Sequence, residues 1–277
     1  MCPIEHDDSR IGITSSTKKA KTGETHSMIF GLWDAFRRHR AAREPFPSAW
    51  RAILERRVPF YLGMDSATRE AFEDKLKVFV RTKSFEGARG FRIDDEVRVV
   101  IGATAARLIT NLPDEHYDDL MAIIVYPSHY KHPEGHGASE GAIVLGEAND
   151  RGAVVLSWDA VLHGLADPKD GHDTATHEFA HALDIEDGVM DGAPNLGSDG
   201  AYANWARVMT RAHAGLRRRR PRARPVLRDY GATNEAEFFA VATEAFFEKS
   251  RRLRDEQPAL YAVLSDYYRC DPAASAR

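Results

Sequence analysis

TATHEFAHALD, residues 174–184, contains two histidines four positions apart, with a glutamate directly after the first. This is the H-E-x-x-H pattern of zinc hydrolases. Positions i and i+4 share one face of an α-helix, so His177 and His181 can direct ring nitrogens at one ion. Glu178 is rotated by about 100° from His177 and can act on a water beside the ion without binding the ion itself. Apolar neighbours predict that this helix is buried beneath an active site: Phe179, Ala180, Ala182 and Leu183.

A third ligand must come from elsewhere in the chain, because catalytic zinc usually takes three protein ligands. The elongated motif H-E-x-x-H-x-x-G-x-x-H would need Gly at 184 and His at 187. Asp184 and Asp187 stand there, which excludes that class. A glutamate on a second helix is the common alternative. Glu237 and Glu244 both lie on a helix predicted to begin after Asn234.

We favour Glu237 as the ligand and Glu244 as its support. Seven residues span about 10 Å of helix rise, so both carboxylates cannot reach one ion. The alternative for Glu237 is a capping-box role, because it stands three residues after Asn234. Glu244 lies deeper among apolar residues and needs a partner, which favours contact with a zinc histidine. Asp184 either fixes a histidine tautomer or anchors the following loop.

Tyr230 stands just before the second helix. It is a candidate hydrogen-bond donor to the oxyanion of a tetrahedral intermediate. The alternative is an ordinary tyrosine near a helix start.

The composition is that of a globular protein: 277 residues, 43% hydrophobic and 29% charged. A net charge of −4 argues against a binder of polyanions. Cys2 and Cys270 are too few for a disulfide framework and favour a reducing compartment. The sequence has neither a run of about 18 apolar residues nor an apolar segment of secretory type near its start. We therefore expect a cytoplasmic protein that does not insert into membranes.

The order of segments predicts an α+β fold, rich in helices, with a small mixed sheet beside the H-E-x-x-H helix. Residues 1–27 are expected to be a disordered extension, and residues 28–277 a single domain with its core at about 45–272. Strands are predicted at 97–101, 122–126, 142–145 and 153–157, a turn at 85–87, and one final helix before Asp271. One strand between 141 and 157 is expected to form a sheet edge to which an extended peptide can add.

Two further segments have competing interpretations. A loop contains His129, His132 and His136, for which a solvated loop is favoured over a second metal site. Residues 217–224 are rich in arginine and interrupted by proline. A solvated insertion is favoured there over an acidic-partner or nucleic-acid surface, because aromatic residues are absent.

Seven short segments of the chain together resemble the Mlc titration factor A (MtfA) family of zinc peptidases, a glucose-regulated metallopeptidase group of bacteria. The resemblance covers about residues 45–272. It is carried by IVYP at 124–127, LSWD at 156–159, HEFAHALD at 177–184, DGAP at 191–194, YGA at 230–232, AEFFAV at 236–241 and DP at 271–272.

The resemblance implies a cytoplasmic, zincin-like α+β fold with one Zn²⁺ per chain. It implies zinc ligation by His177, His181 and Glu237. It also implies Glu178 as general base and Tyr230 as oxyanion donor. The family is associated with aminopeptidase-like cleavage of small chromogenic substrates and with binding of a glucose-responsive transcriptional repressor. Peptides and such a repressor are therefore the expected partners.

Overall fold

The computed structural model describes residues 39–128 except 42, the backbone of 142–145, residues 152–219 except 168, and residues 225–275. The predicted extension at 1–27, the histidine-containing loop and residues 220–224 of the basic run lie outside this part of the chain, so those predictions stay untested.

Helices make up most of the described chain, and four strands form one sheet. The elements are α1 (Ser48–Arg57), α2 (Pro59–Leu62), α3 (Ser66–Thr82), β1 (Ser84–Gly87), α4 (Asp95–Ile109), β2 (Leu120–Tyr126), β3 (Ala142–Leu145), β4 (Gly152–Ser157), α5 (Trp158–Ala166), α6 (Thr174–Asp184), α7 (Asp199–Arg217), α8 (Glu235–Glu248), α9 (Ser250–Glu256), α10 (Pro258–Tyr268) and α11 (Pro272–Ser275). Short 3₁₀ turns cover Ala88–Gly90, Ile185–Asp187 and Asp229–Ala232.

The sheet has the strand order β1-β2-β4-β3. β1 and β4 are parallel to β2, whereas β3 is antiparallel to β4, with Ile143 opposite Val154. The predicted α+β class with a small mixed sheet is therefore confirmed. β3 lies at the edge of the sheet, as expected for one strand between 141 and 157.

Helix α6, which carries the H-E-x-x-H motif, lies at the centre of the described structure. All eleven of its residues are buried. Asp173 caps its start by accepting a hydrogen bond from the Thr176 N–H at 3.1 Å. Helices α4, α5 and α8 and strands β3 and β4 pack around it. The Phe179 ring packs edge-on against Phe79 at 5.7 Å and anchors this helix in the core.

The predicted strand at 97–101 is wrong, because these residues belong to α4. Asp94 caps this helix by accepting from the Val97 N–H at 3.0 Å. Asp95 and Glu96 place negative charge in the first turn, where the helix dipole favours it. A continuous apolar run has the same pattern in a buried helix and in a buried strand, so the β-branched residues were misleading.

Two other boundaries also differ from expectation. Residues 84–87 form the edge strand β1, parallel to β2, where a turn at 85–87 was predicted. The single final helix predicted before Asp271 is instead two helices, α9 and α10, and the short α11 follows it. The break between α9 and α10 falls at Gln257, because Pro258 occupies the first helical position, where its missing N–H costs nothing.

Within the described ranges, no helix has both the length and the apolar character needed to cross a bilayer.

Candidate metal centre

Three side chains converge between α6 and α8. His177 and His181 lie on one face of α6, and Glu237 lies in the first turn of α8. The Oε2 atom of Glu237 is 2.9 Å from Nε2 of His177 and 3.4 Å from Nε2 of His181. The two Nε2 atoms are 3.2 Å apart. The sequence-predicted ligand set is thus brought together, and it is a potential metal-binding group among the described residues.

The spacing of these two nitrogen donors and one oxygen donor fits a bound metal ion. Ligand bonds of about 2.0–2.1 Å in tetrahedral geometry place neighbouring ligand atoms about 3.3 Å apart. The three observed separations between ligand atoms, 2.9, 3.2 and 3.4 Å, are close to that distance. Two imidazole lone pairs and a carboxylate facing one point require a cation or a shared proton between them.

The capping-box alternative does not describe the Glu237 side chain. Asn234 caps α8 by accepting from the Glu237 N–H at 2.8 Å. In a capping box the glutamate carboxylate would return to the cap residue, but here it turns to the two histidines. The cap therefore fixes the backbone of Glu237, and its side chain remains available to a metal.

Glu244 contacts the far side of the first histidine. Its Oε1 atom is 3.0 Å from Nδ1 of His177, and the residue is fully buried. The predicted supporting position of Glu244 thus matches its place in the structure.

Arg228 makes a contact with Glu244 that the sequence did not predict. Its Nη2 atom donates to Oε1 at 2.7 Å and to Oε2 at 2.5 Å, and its Nε atom donates to Oε2 at 3.0 Å. Arg228 lies in a loop, 16 positions from Glu244, so no periodic pattern in the sequence could predict that the two side chains pair.

Tyr230 lies beside the triad, with its ring centroid 5.8 Å from that of His177. It is 42% exposed, which leaves it accessible from the surface. Glu178, the predicted base, is buried on α6 directly after the first ligand candidate. Both candidate catalytic residues therefore belong to the immediate surroundings of the histidine pair.

A sequence profile of the glucose-regulated metallo-peptidase M90 family matches residues 33–269. The chain belongs to this family. The resemblance to Mlc titration factor A proteins is confirmed, and the M90 family is a metallopeptidase family.

Three relatives illustrate the range of similarity. An uncharacterized protein of Synechocystis sp. is 38% identical over 248 residues, which cover 87% of this chain and 90% of that protein. Mlc titration factor A of Edwardsiella ictaluri is 29% identical over 228 residues, 78% of this chain and 85% of that protein. Mlc titration factor A of Cronobacter sakazakii is 23% identical over 257 residues, 88% and 93% of the two chains.

The electrostatics of this M90 site favour a bound cation. Burial lowers the pKa of His177, but the hydrogen bonds to Glu237 and Glu244 raise it more strongly, to about 10. Burial raises the pKa of Glu237, yet the two histidines lower it well below its ordinary value. Carboxylates thus hold positive charge at the point where the ligand atoms meet, and a metal ion can take the place of that proton.

Burial also changes the acid–base character of the two candidate catalytic residues. It is the main cause that raises the pKa of Glu178 to about 7; His177 opposes the rise and Glu237 adds to it. For Tyr230, burial and the nearby Glu237 raise the pKa to about 12, so its hydroxyl keeps its proton near neutral pH. A carboxyl group with a pKa near neutrality can exchange a proton, and a hydroxyl that keeps its proton can donate a hydrogen bond.

Asp184 anchors the loop after α6, one of its two predicted roles. Its Oδ2 atom accepts from the Gly192 N–H at 2.9 Å. Gly192 has φ of +80°, and a Cβ there would lie 2.4 Å from the Glu235 carbonyl oxygen. Glycine is therefore required where this loop meets the start of α8. The Trp205 indole donates to the Gly192 carbonyl at 2.9 Å and holds the loop from its other side.

Proposed function

We propose that this chain is a zinc-dependent metallopeptidase with a zincin-like fold, one zinc ion per chain and a single peptidase domain from 28 to 277. The observation that carries the proposal is the convergence of His177, His181 and Glu237 on one point, with Glu178 beside them. Two imidazoles and one carboxylate are the ligand set of the His₂Glu class of catalytic zinc. The aminopeptidase-like activity associated with the family is the expected reaction.

Zinc, when bound, would polarise the scissile carbonyl and make a water more acidic. Glu178 accepts the proton of the attacking water and then delivers it to the leaving amine. Its raised pKa of about 7 suits both transfers, because the best proton carrier has a pKa near the working pH. Tyr230 donates its hydroxyl hydrogen bond to the oxyanion of the tetrahedral intermediate.

The peptide is expected to bind along the sheet edge next to the centre. β3 pairs only with β4 within the described chain, and both strands lie against α6. An extended peptide can add to such an edge through main-chain hydrogen bonds, which would place its backbone alongside the metal helix.

A Glu178→Gln variant tests the peptidase assignment. We expect zinc binding to stay, because Glu178 is not a ligand, and cleavage to fall by at least about 100-fold, the usual contribution of a general base. The measurement compares zinc content and turnover of small chromogenic peptide substrates for both proteins. Wild-type rates in the variant would disprove the role of Glu178.

The names of the relatives favour a second function, binding of a transcriptional repressor with zinc in a mainly structural role. Several relatives are called Mlc titration factor A. If this chain binds such a repressor, Glu178→Gln should bind it as well as the wild type does. Repressor binding together with no cleavage of any peptide in a library would favour this function over the peptidase.

A further inference from the structure

We propose that Arg228 is a positioning residue of the metal centre, which acts through Glu244 to hold His177 with its Nε2 atom towards the metal. The inference rests on the proposed metal function and adds a residue that touches neither the metal site nor the substrate.

The contact between Arg228 and Glu244 is two-pronged. Guanidinium nitrogens reach both carboxylate oxygens, Oε1 at 2.7 Å and Oε2 at 2.5 and 3.0 Å. Such paired bonds fix the plane of a carboxylate as well as its charge. The Glu244 side chain has no exposed surface, so solvent does not reach the carboxylate of this ion pair.

The fixed carboxylate then determines which ring nitrogen of His177 carries the hydrogen. An ionised carboxylate only accepts hydrogen bonds. Because Oε1 of Glu244 lies 3.0 Å from Nδ1 of His177, the hydrogen belongs on Nδ1. When a metal takes the place of the proton on Nε2, the Nε2 lone pair is directed at the point shared with Glu237 and His181. Partners of this kind orient metal-binding histidines, and their loss typically weakens metal affinity by about 10–100-fold.

Arg228 also ties a second part of the site to α8. It precedes the 3₁₀ turn Asp229–Ala232, which carries Tyr230 and packs on α8. A Cβ on Gly231 would lie 3.1 Å from Cβ of Val241, so the turn and the helix are already in close approach. The same guanidinium that holds Glu244 therefore fixes the start of the segment that presents Tyr230.

A set of variants separates this role from a general contribution to stability. They are Arg228→Met, Arg228→Lys, Glu244→Gln and the double variant Arg228→Met with Glu244→Gln. The matched control is Arg219→Met, which removes an arginine that pairs at 2.6 Å with the exposed Asp229 of the same segment. Zinc affinity of each folded protein is measured by competition with a chromogenic chelator, and circular dichroism confirms folding.

We expect Arg228→Met to weaken zinc affinity by about 10–100-fold. The zinc affinity of Arg228→Lys should lie between that of the wild type and that of Arg228→Met, because a lysine supplies the charge without the paired bonds. Arg219→Met should stay within about twofold of the wild type, because the partners of Arg219, Asp229 and the Leu227 carbonyl, are not part of the chain of contacts from Glu244 to His177. In the Glu244→Gln background, Arg228→Met should cause no further weakening, since both substitutions break one chain of contacts.

Two results would overturn the inference. One is an Arg228→Met protein with the zinc affinity of the Arg219→Met control. The other is a double variant whose loss of affinity is the product of the two single losses. If Arg228→Met does not fold, Arg228→Lys and the double variant decide, since neither leaves a buried carboxylate without its cation. A wild-type protein that binds zinc but cleaves nothing would remove the peptidase function and leave this result standing.

Discussion

Three glutamates surround the histidine pair, and each lies in a different environment. The histidines lower the pKa of Glu237, which keeps it ionised and suited to bind a metal. Burial raises the pKa of Glu178 to about 7, which suits a group that accepts and returns a proton. Glu244 is held from two sides by Arg228 and His177. Carboxylates whose pKa values are moved apart by their surroundings indicate the acid–base assignments of a site.

A Tyr230→Phe variant tests the oxyanion donor. We expect kcat to fall by about 100-fold, because removing one such donor typically costs that much, while zinc affinity stays unchanged. Steady-state kinetics on a substrate that the wild type cleaves would show the loss in kcat with little change in KM. An unaltered kcat would mean that the hydroxyl takes no part in the reaction.

A Glu248→Gln variant tests a buried acid of α8. Burial, then Asp173, raises the pKa of Glu248 to about 8; Arg107 opposes the rise, and Glu244 and Asp170 add to it. The folded state thus holds a proton that the unfolded state, with its ordinary pKa of 4.5, releases. Stability from this group is present below about pH 4.5 and is lost as pH rises through about 8.

The measurement for Glu248 is thermal unfolding across pH 4.5–9. We expect the melting temperature of Glu248→Gln to fall less with rising pH than that of the wild type. The control is Glu70→Gln at an exposed position of α3, which should follow the wild-type curve. Parallel curves for wild type and Glu248→Gln would show that Glu248 has an ordinary pKa.

The sequence predicts those site residues whose positions follow from one helix. His177, Glu178 and His181 lie within little more than one turn of α6, so helical periodicity places them. Glu237 could be favoured over Glu244 because seven residues of helix keep both carboxylates from reaching one ion, and because Glu244, deeper among apolar residues, needs a partner of its own. Arg228 could not be found, because its pairing depends on how a loop folds back on α8.

At the scale of elements, caps were better guides than residue propensity. Asn234 caps the helix that was predicted to begin after it, and Asp173 caps α6 in the same way. The run at 97–101 looked like a strand because of its valines, but Asp94 caps it as a helix. Burial on nearly all sides of α4 removes the amphipathic pattern that would have shown the helix.

An Asn234→Ala variant tests the cap of α8. Loss of an N-cap typically costs about 1 kcal/mol of stability. Because this cap holds the backbone of Glu237 at 2.8 Å, we also expect weaker zinc binding. Urea unfolding with and without zinc measures both effects, and Asn234→Ser, which can still cap, should resemble the wild type. A variant with alanine that matches the wild type in both respects would contradict the role of the cap.

For the whole molecule, the candidate metal centre joins two helices that are distant in sequence. His177 and His181 belong to α6, and Glu237 to α8, about 60 residues further on. The sheet order β1-β2-β4-β3 could not be predicted, because strand pairing is long-range and leaves no local pattern. The family profile, which spans residues 33–269, covers both halves of the centre.

Removal of zinc should lower the stability of the whole chain. A ligand at 100 times its Kd stabilises the folded state by about 2.7 kcal/mol. That corresponds to roughly 5–10 °C in melting temperature for a chain of this size. We expect chelation to produce such a drop in the wild type and no drop in Glu237→Gln. Equal shifts in both proteins would place the stabilising metal elsewhere.

Anomalous X-ray scattering at the zinc edge, from crystals grown with zinc, tests the metal centre most directly. We expect one peak per chain, within about 2.0–2.2 Å of Nε2 of His177, Nε2 of His181 and Oε2 of Glu237. A peak bound by other residues, or no peak at these three atoms, would contradict the assignment.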